Sequence, residues 1–512
     1  MTGKTKKIPF LICIVVCLFT LSVSGRTYFV DAFTGNDYNS GLSPDYAWQT
    51  LRQVNQSVFK PGDSILFRSG QQWFGMLFPQ GSGTEEQPIV ISKYGGEKLP
   101  CIHGGEADPV YFEEYRTFQA VLLRNQQYWE IRDLEITNIP GNRMVDFDNH
   151  GNDRRRGIYV VASDTGELKG ITIRNNYIHH VKGNDTKDFH GSGGILLAVI
   201  GKEKPSFFNG VDISGNRMFM INRTGICVSS YWQRRLREKD YPYSWMDEMG
   251  EYQANLNIVI RGNDLESIGG DGIVPQVAFK ASIEYNKVNG AASRSKEFNA
   301  ALWAWNSDSV LIRYNEVWNT RSTRDGMAFD CDAYSIGHTY QYNFSHDNEG
   351  GFLLLHGSSK VVPDAENIGH LIRNNISMND RNILLQFHGS GHTHSIIENN
   401  LFYNTVSKVH PLTVDGYPRD IRVQNNIFYL TDMGEWKGEE FFLNFYFSRN
   451  MLFDASRSDI SRRIKNKFKR PLLADVYEMF GIDHSLPRKN ITPEDVRMLW
   501  KGILSASDKA KN

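Results

Sequence analysis

Short alternating apolar segments recur along most of the chain at a near-constant interval, each leading into an asparagine. Val310-Leu311-Ile312 runs into Arg313-Tyr314-Asn315, and His394-Ser395-Ile396-Ile397 into Glu398-Asn399-Asn400. The same corner returns at Asn176, Asn216, Asn263, Asn286, Asn343, Asn375 and Asn426. From Asn263 onward the spacings are 23, 29, 28, 32, 25 and 26 residues. A few residues later a second strand opens, often on glycine: Gly194-Ile195-Leu196-Leu197, Gly225-Ile226-Cys227-Val228, Gly326-Met327-Ala328-Phe329 and Gly351-Phe352-Leu353-Leu354.

A self-similar unit of this length is one coil of a solenoid. Its strand edges are unpaired, so it must stack on its neighbours. Asparagine repeated at one corner can stack as a ladder of side-chain amides. The pattern predicts an all-β fold, a right-handed parallel β-helix over residues 26–444. A β-sandwich would explain short strands but not the periodic corner. Ala47, Trp48, Leu51 and Val54 have helical spacing and predict a short N-terminal capping helix. From Phe445 the repeat fades into a basic stretch, Arg449 to Arg470. Residues 445–512 are expected to form a helical tail; a basic groove for an acidic glycan is the sharper reading.

The N-terminus changes the compartment. Lys4, Lys6 and Lys7 precede an apolar run from Phe10 to Val23, and small residues follow at Ser24 and Gly25. This predicts a signal peptide over residues 1–25, too short to span a membrane. The expected product is secreted, periplasmic or on the cell surface. Cleavage leaves 54 basic against 58 acidic residues, a net charge of about −4, which offers no footprint for nucleic acid. Cys101, Cys227 and Cys331 remain, too few for a disulfide framework. A monomer is expected.

The segments Tyr28-Phe29-Val30-Asp31, Ala47-Trp48-Gln49-Thr50-Leu51, Lys60-Pro61-Gly62-Asp63-Ser64-Ile65, Asp325-Gly326-Met327-Ala328-Phe329-Asp330-Cys331-Asp332 and His346-Asp347-Asn348-Glu349-Gly350-Gly351 resemble exported bacterial right-handed parallel β-helix proteins with the pectin-lyase fold. The likeness covers most of residues 27–430. It implies a carbohydrate-active protein, hydrolase or lyase. The reaction itself does not transfer, because the fold hosts several chemistries.

Chemistry on such a scaffold belongs to the outward side chains. Alternation predicts Met327, Phe329 and Cys331 inward, with Asp330 and Asp332 outward and roughly 6.5–7 Å apart at a rise of ~3.3 Å per residue. Paired carboxylates are what glycosidases use. Asp330 and Asp332 are therefore the leading catalytic candidates, with Asp325 and Glu349 as alternative partners. Aligning the strand openings places Trp303 and Trp305 one coil earlier on an exposed outward face, Trp305 beside Asp330. Exposed tryptophans suit the CH face of a sugar. Gln386 follows in the Asp330 column and His388 in that of Asp332. Asp271, Arg324, His356 and Trp232, the last in an aromatic insertion between Asn216 and Asn263, complete the substrate-binding candidates.

Three functions remain open on these residues. A glycoside hydrolase acting on a polysaccharide or oligosaccharide fits an acidic, aromatic site. A polysaccharide lyase would need a Lys or Arg base and calcium against a uronate; no outward strand position beside the acids holds such a base. No other cofactor is implied. The third is a non-catalytic glycan-binding β-helix.

Overall fold

The computed structural model describes residues 25–510 apart from 113–114, 144, 150, 188–190, 236–247, 322–323, 358–366, 455–472 and 482–490. The expected signal peptide lies outside the described residues, as does most of the basic stretch.

Among the described residues three long, mainly parallel sheets hold fifteen, thirteen and eleven strands. Each coil gives one strand to each. Leu311–Arg313, Glu316–Trp318 and Met327–Cys331 form one coil, and Thr339–Gln341 then pairs in parallel with Leu311–Arg313. Inward positions stack in columns. Ile131, Ile173, Ile213, Ile260, Ile283 and Ile312 follow one another in register, all buried. Burying each such side chain stabilises the fold by about 1.5–3 kcal/mol.

The corner ladder is present. From Asn176 to Asn450 each Nδ2 donates to the Oδ1 of the next asparagine at 2.9–3.0 Å. Asn286, Asn315, Asn343 and Asn375 stand together in it, as the spacing predicts. The residue before each asparagine is left-handed. Gly215 and Gly262 take that conformation freely, whereas Tyr285, Tyr314 and Tyr342 hold it at φ 58°, 56° and 53°. For a non-glycine this costs about 1–2 kcal/mol. The three rings stack on one another at 4.9 and 5.3 Å, which offsets part of that cost.

Helix α1 (Leu51–Gln56) is shorter than the apolar pattern suggested. Asp37 accepts from the backbone N–H groups of Gln49 and Thr50 and from the Thr50 hydroxyl. That ties the preceding residues in extended form, and Trp48 bonds back to Phe29 and Asp31 instead. The stack also runs past residue 444. Phe445–Ser448 and Met451–Asp454 pair onto the last coil and Asn450 continues the ladder. The basic composition there hides an alternation whose inward members are Phe445, Phe447 and Leu452.

Beyond the coils lie α2 (Leu473–Met479) and α3 (Pro493–Lys509). A capping box between Thr492 and Asp495 starts α3. Its Val496, Leu499, Trp500 and Ile503 cover the outward face of the thirteen-stranded sheet at Phe344, Ile376, Leu401 and Ile427. No helix among the described residues is long and apolar enough to cross a membrane.

Candidate active site

Two neighbouring outward columns of the eleven-stranded sheet build the site. One runs through Leu196, Cys227, Val274, Trp303, Asp330, Leu354 and Gln386. The other begins at Ser229, passes Gln276 and Trp305, and continues through Asp332, His356, His388 and Asp415. They wall a cavity of about 510 Å³ whose lining includes Trp303, Trp305, Asp332 and His356.

The register corrects the expected alignment by two residues. Trp303, not Trp305, stands beside Asp330, and Trp305 falls beside Asp332. Trp303 is buried, not exposed, because Met327 and Leu354 pack against it. Met327 therefore points outward, against the expected alternation. Ala328 and Phe329 both turn into the core instead, the local irregularity that follows the left-handed Gly326.

Asp332 Oδ1 lies 2.8 Å from His356 Nδ1 and accepts from the N–H of Ala333 at 2.7 Å. Burial alone would push its carboxyl up. The charge and hydrogen bond of His356 and the Ala333 N–H outweigh that and hold it below the usual value. His356 responds in the opposite sense. Burial disfavours its charge, and the Asp332 carboxylate more than restores it, leaving the ring above its ordinary value.

Asp325 precedes the same strand at its opening corner. Burial pushes it up to about 7, against the pull of Lys187 and with the push of Asp271. Asp330 is buried as well, and its Oδ1 is enclosed with no hydrogen-bond partner. Burial first, then the charges of Asp332 and Asp325, raise it far above the carboxylate range. Three aspartates within eight residues thus diverge, Asp332 held below its ordinary value and Asp325 and Asp330 raised above theirs.

Asp271 lies in the cavity wall, but its oxygens are engaged. Oδ1 accepts from Trp303 Nε1 at 2.9 Å and from the N–H of Ala300 at 3.2 Å, and Oδ2 is 3.1 Å from Arg223. It clamps Trp303 in place. Lys187 sits over the Trp303 ring at 4.7 Å, 3.9 Å from Asp271, and donates to the carbonyl of Phe298.

Other candidates fall elsewhere. Glu349 is paired with Arg321 at 2.6 Å, half-exposed, outside the cavity lining. Arg324 is exposed and lies over Phe298. Trp232 is buried in the main core, with Gly250 against its ring, because its loop packs on the scaffold; Gln233 beside it lines the cavity. The part of that insertion from 236 to 247 lies outside the described residues. Gln386 and His388 stand in the expected columns, one coil beyond the cavity.

Lys187, Arg223, Gln276 and Gln233 were missed. Gln276 was discoverable, since it occupies the outward position before Trp305. Lys187 and Arg223 come from corners that carry no period.

One group of metal-type donors occurs among the described residues: Cys331, His338 and His370, all in the core. Their atoms are already committed. His370 Nδ1 accepts the N–H of His338, so Nε2 carries the ring proton and donates to Asn367 Oδ1 at 2.5 Å. His338 Nε2 donates to the Ser307 carbonyl, leaving Nδ1 to face the Cys331 thiol at 3.5 Å. The cluster is a buried polar ladder.

No family model matches the chain. A lacto-N-biosidase of Bifidobacterium longum subsp. longum is 27% identical over 405 residues, 66% of this chain and 25% of the relative. An α-1,3-galactosidase A of Akkermansia muciniphila is 25% identical over 80 residues, covering 16% of this chain and 13% of that protein. The crystal structure of a GH136 lacto-N-biosidase from Eubacterium ramulus superposes with a TM-score of 0.65 at 25% identity, over 84% of this chain and 68% of that one. A mannuronic acid specific family 6 polysaccharide lyase from human gut microbiota shares the fold, with a TM-score of 0.52 at 13% identity over 94% of this chain and all of that one. The chain spans about a quarter of the length of the curated lacto-N-biosidase it matches. In sequence and in fold it resembles parallel β-helix carbohydrate-active proteins.

Proposed function

We propose that the chain is a glycoside hydrolase with its reaction centre at Asp332 and Asp325. One observation carries this reading. Beside a cavity walled by two tryptophans and lined by Asp332, burial raises Asp325 to about 7 while His356 holds Asp332 below its usual value. Carboxyl groups with values driven apart by their surroundings are how acid and base roles are divided in glycoside hydrolysis. Asp325 is the general acid and Asp332 the nucleophile or base. Asp330 is a neutral acid under the floor rather than the leading catalytic residue. Trp305 presents a face to the sugar, with Trp303 packed beneath.

The substrate is an oligosaccharide or polysaccharide, and lacto-N-biose-bearing oligosaccharides are the first to try, given the names of the relatives. We further read residues 1–25 as a signal peptide, the chain as an exported monomer, and α1 as the cap over the first coil. Incubation with a panel of oligosaccharides and product analysis tests the function; D332N and D325N should abolish release of sugar.

A second reading draws on Lys187 and Arg223, which bring positive charge to the acids. Elimination at a uronate would yield an unsaturated product that absorbs in the ultraviolet, with activity lost to a chelator and restored by calcium. Hydrolysis gives neither signature.

A further inference from the structure

We propose that His388 and Asp415 are a positioning pair that braces His356, and through it the carboxylate of Asp332. The inference rests on the hydrolase reading for its consequence, though not for its geometry.

Outward side chains in register on successive coils stand about 4.8 Å apart, the spacing of paired strands. Asp332, His356, His388 and Asp415 occupy four successive coils in one such column. The two imidazole rings stack with centroids 5.3 Å apart and planes inclined by 30°. His356 Nδ1 reaches back one coil to Asp332 at 2.8 Å, while His388 Nδ1 reaches forward one coil to Asp415 at 3.3 Å. An ionised carboxylate only accepts, so His356 donates to Asp332 through Nδ1, while the same nitrogen of His388 faces the Asp415 carboxylate as an ion-pair contact, and the two rings reach in opposite directions along the column. The arrangement is carboxylate, ring, ring, carboxylate.

This order matters for Asp332. An imidazole bonded through one nitrogen still swings about its χ2 torsion, which is broad for histidine. His356 meets Asp332 on one side of its ring and His388 on the other. His388 is in turn held by Asp415, and from below the Nε2 of His392 donates to the His388 carbonyl at 3.0 Å. The brace is more open to solvent than the pair it serves: His388 and Asp415 side chains are 42% and 39% exposed, those of His356 and Asp332 30% and 22%. Substrate in the cavity meets Asp332 and His356; the brace lies one and two coils away. His388 and Asp415 therefore act through His356 rather than on the reacting atoms.

The test uses the full chain with selectively labelled histidine. In the wild type the His356 Nδ1–H proton should give a downfield, slowly exchanging signal that disappears in D332N. H388A should broaden or remove that signal, and H388F, which keeps a ring in the stack, should retain it. On a cleaved oligosaccharide, H388A should lower kcat about tenfold, the low end for a residue supporting a functional ligand, with KM changed by less than about twofold. H388F should recover most of it, and D415N should fall between. The melting temperature should not move in any of the three. A His356 signal and a kcat unchanged in H388A would overturn the proposal. So would a loss confined to KM, which would instead make His388 a sugar contact. If the wild type cleaves no glycan, the hydrolase reading fails, and the imidazole signal still decides the brace.

Discussion

Two outward faces of the same coils behave in opposite ways. On the thirteen-stranded sheet one outward column reads Arg217, Asp264, Lys287 and Glu316, then switches to Phe344, Ile376, Leu401 and Ile427. The switch marks where α3 lies down and buries the apolar positions. On the eleven-stranded sheet the outward columns carry Trp303, Asp330, Asp332 and His356, and no helix among the described residues covers them. These side chains are enclosed largely by one another and by the corner segments bearing Lys187 and Arg223. The first face exchanges water for hydrocarbon, and its gain is stability. The second withdraws three carboxyl groups from water at a cost in stability, and its gain is a set of groups with divided protonation.

Breaking the open face should cost function without structure. D332N, isosteric and uncharged, should lower turnover by about a thousandfold, within the range for loss of an acid or base, while circular dichroism and melting temperature stay near the wild type. Breaking the covered face should do the reverse. W500A removes a buried ring packed on Phe344 and should destabilise the protein by about 3–5 kcal/mol in denaturant titration, with kcat of the folded fraction unchanged.

A finer contrast comes from pH. Asp325 must be protonated to act as the acid, so activity should fall as pH rises through about 7. The same raised value fixes the sign for stability. The proton on Asp325 favours the folded state below the unfolded value near 4, and that contribution is lost as pH climbs toward 7. D325N should remove the alkaline limb from any residual activity and flatten melting temperature between about pH 4 and 7. Asp332 has the opposite sign, its contribution being lost as pH falls through its lowered value. The smallest effect belongs to E349Q. It breaks only the half-exposed pair with Arg321, so it should cost less than about 1 kcal/mol and leave turnover as it was.

Much of the scaffold and part of the site were legible in the residues. The asparagine spacing located the corners, because an amide ladder needs the same side chain at the same place in every coil. Asp330 and Asp332 stood out because charge beside Phe329 and Cys331 on a strand has to face outward. Register was less legible. Trp305 was matched to Asp330 because the coils differ in length at their corners, and a strand opening is not a fixed distance from the asparagine. Glu349 was indistinguishable from Asp325, since both precede a glycine-opened strand. Only the folded chain pairs one with Arg321 and brings the other within reach of the Lys187 charge.

The order of residues alone settles that this chain coils, which positions face in along most strands, and that acids and tryptophans collect on one face. Each of these follows from local alternation and a repeat of about 25 residues, which any stretch of chain carries within itself. Which acid keeps its proton is a different kind of fact. It depends on Asp332 meeting His356 one coil later, on Asp325 lying near Lys187 across 138 positions of sequence, and on Asp330 being buried between Trp303 and Leu354 in its column. Burial and charge act through space, between groups that share no period, and so those assignments exist only in the tertiary structure.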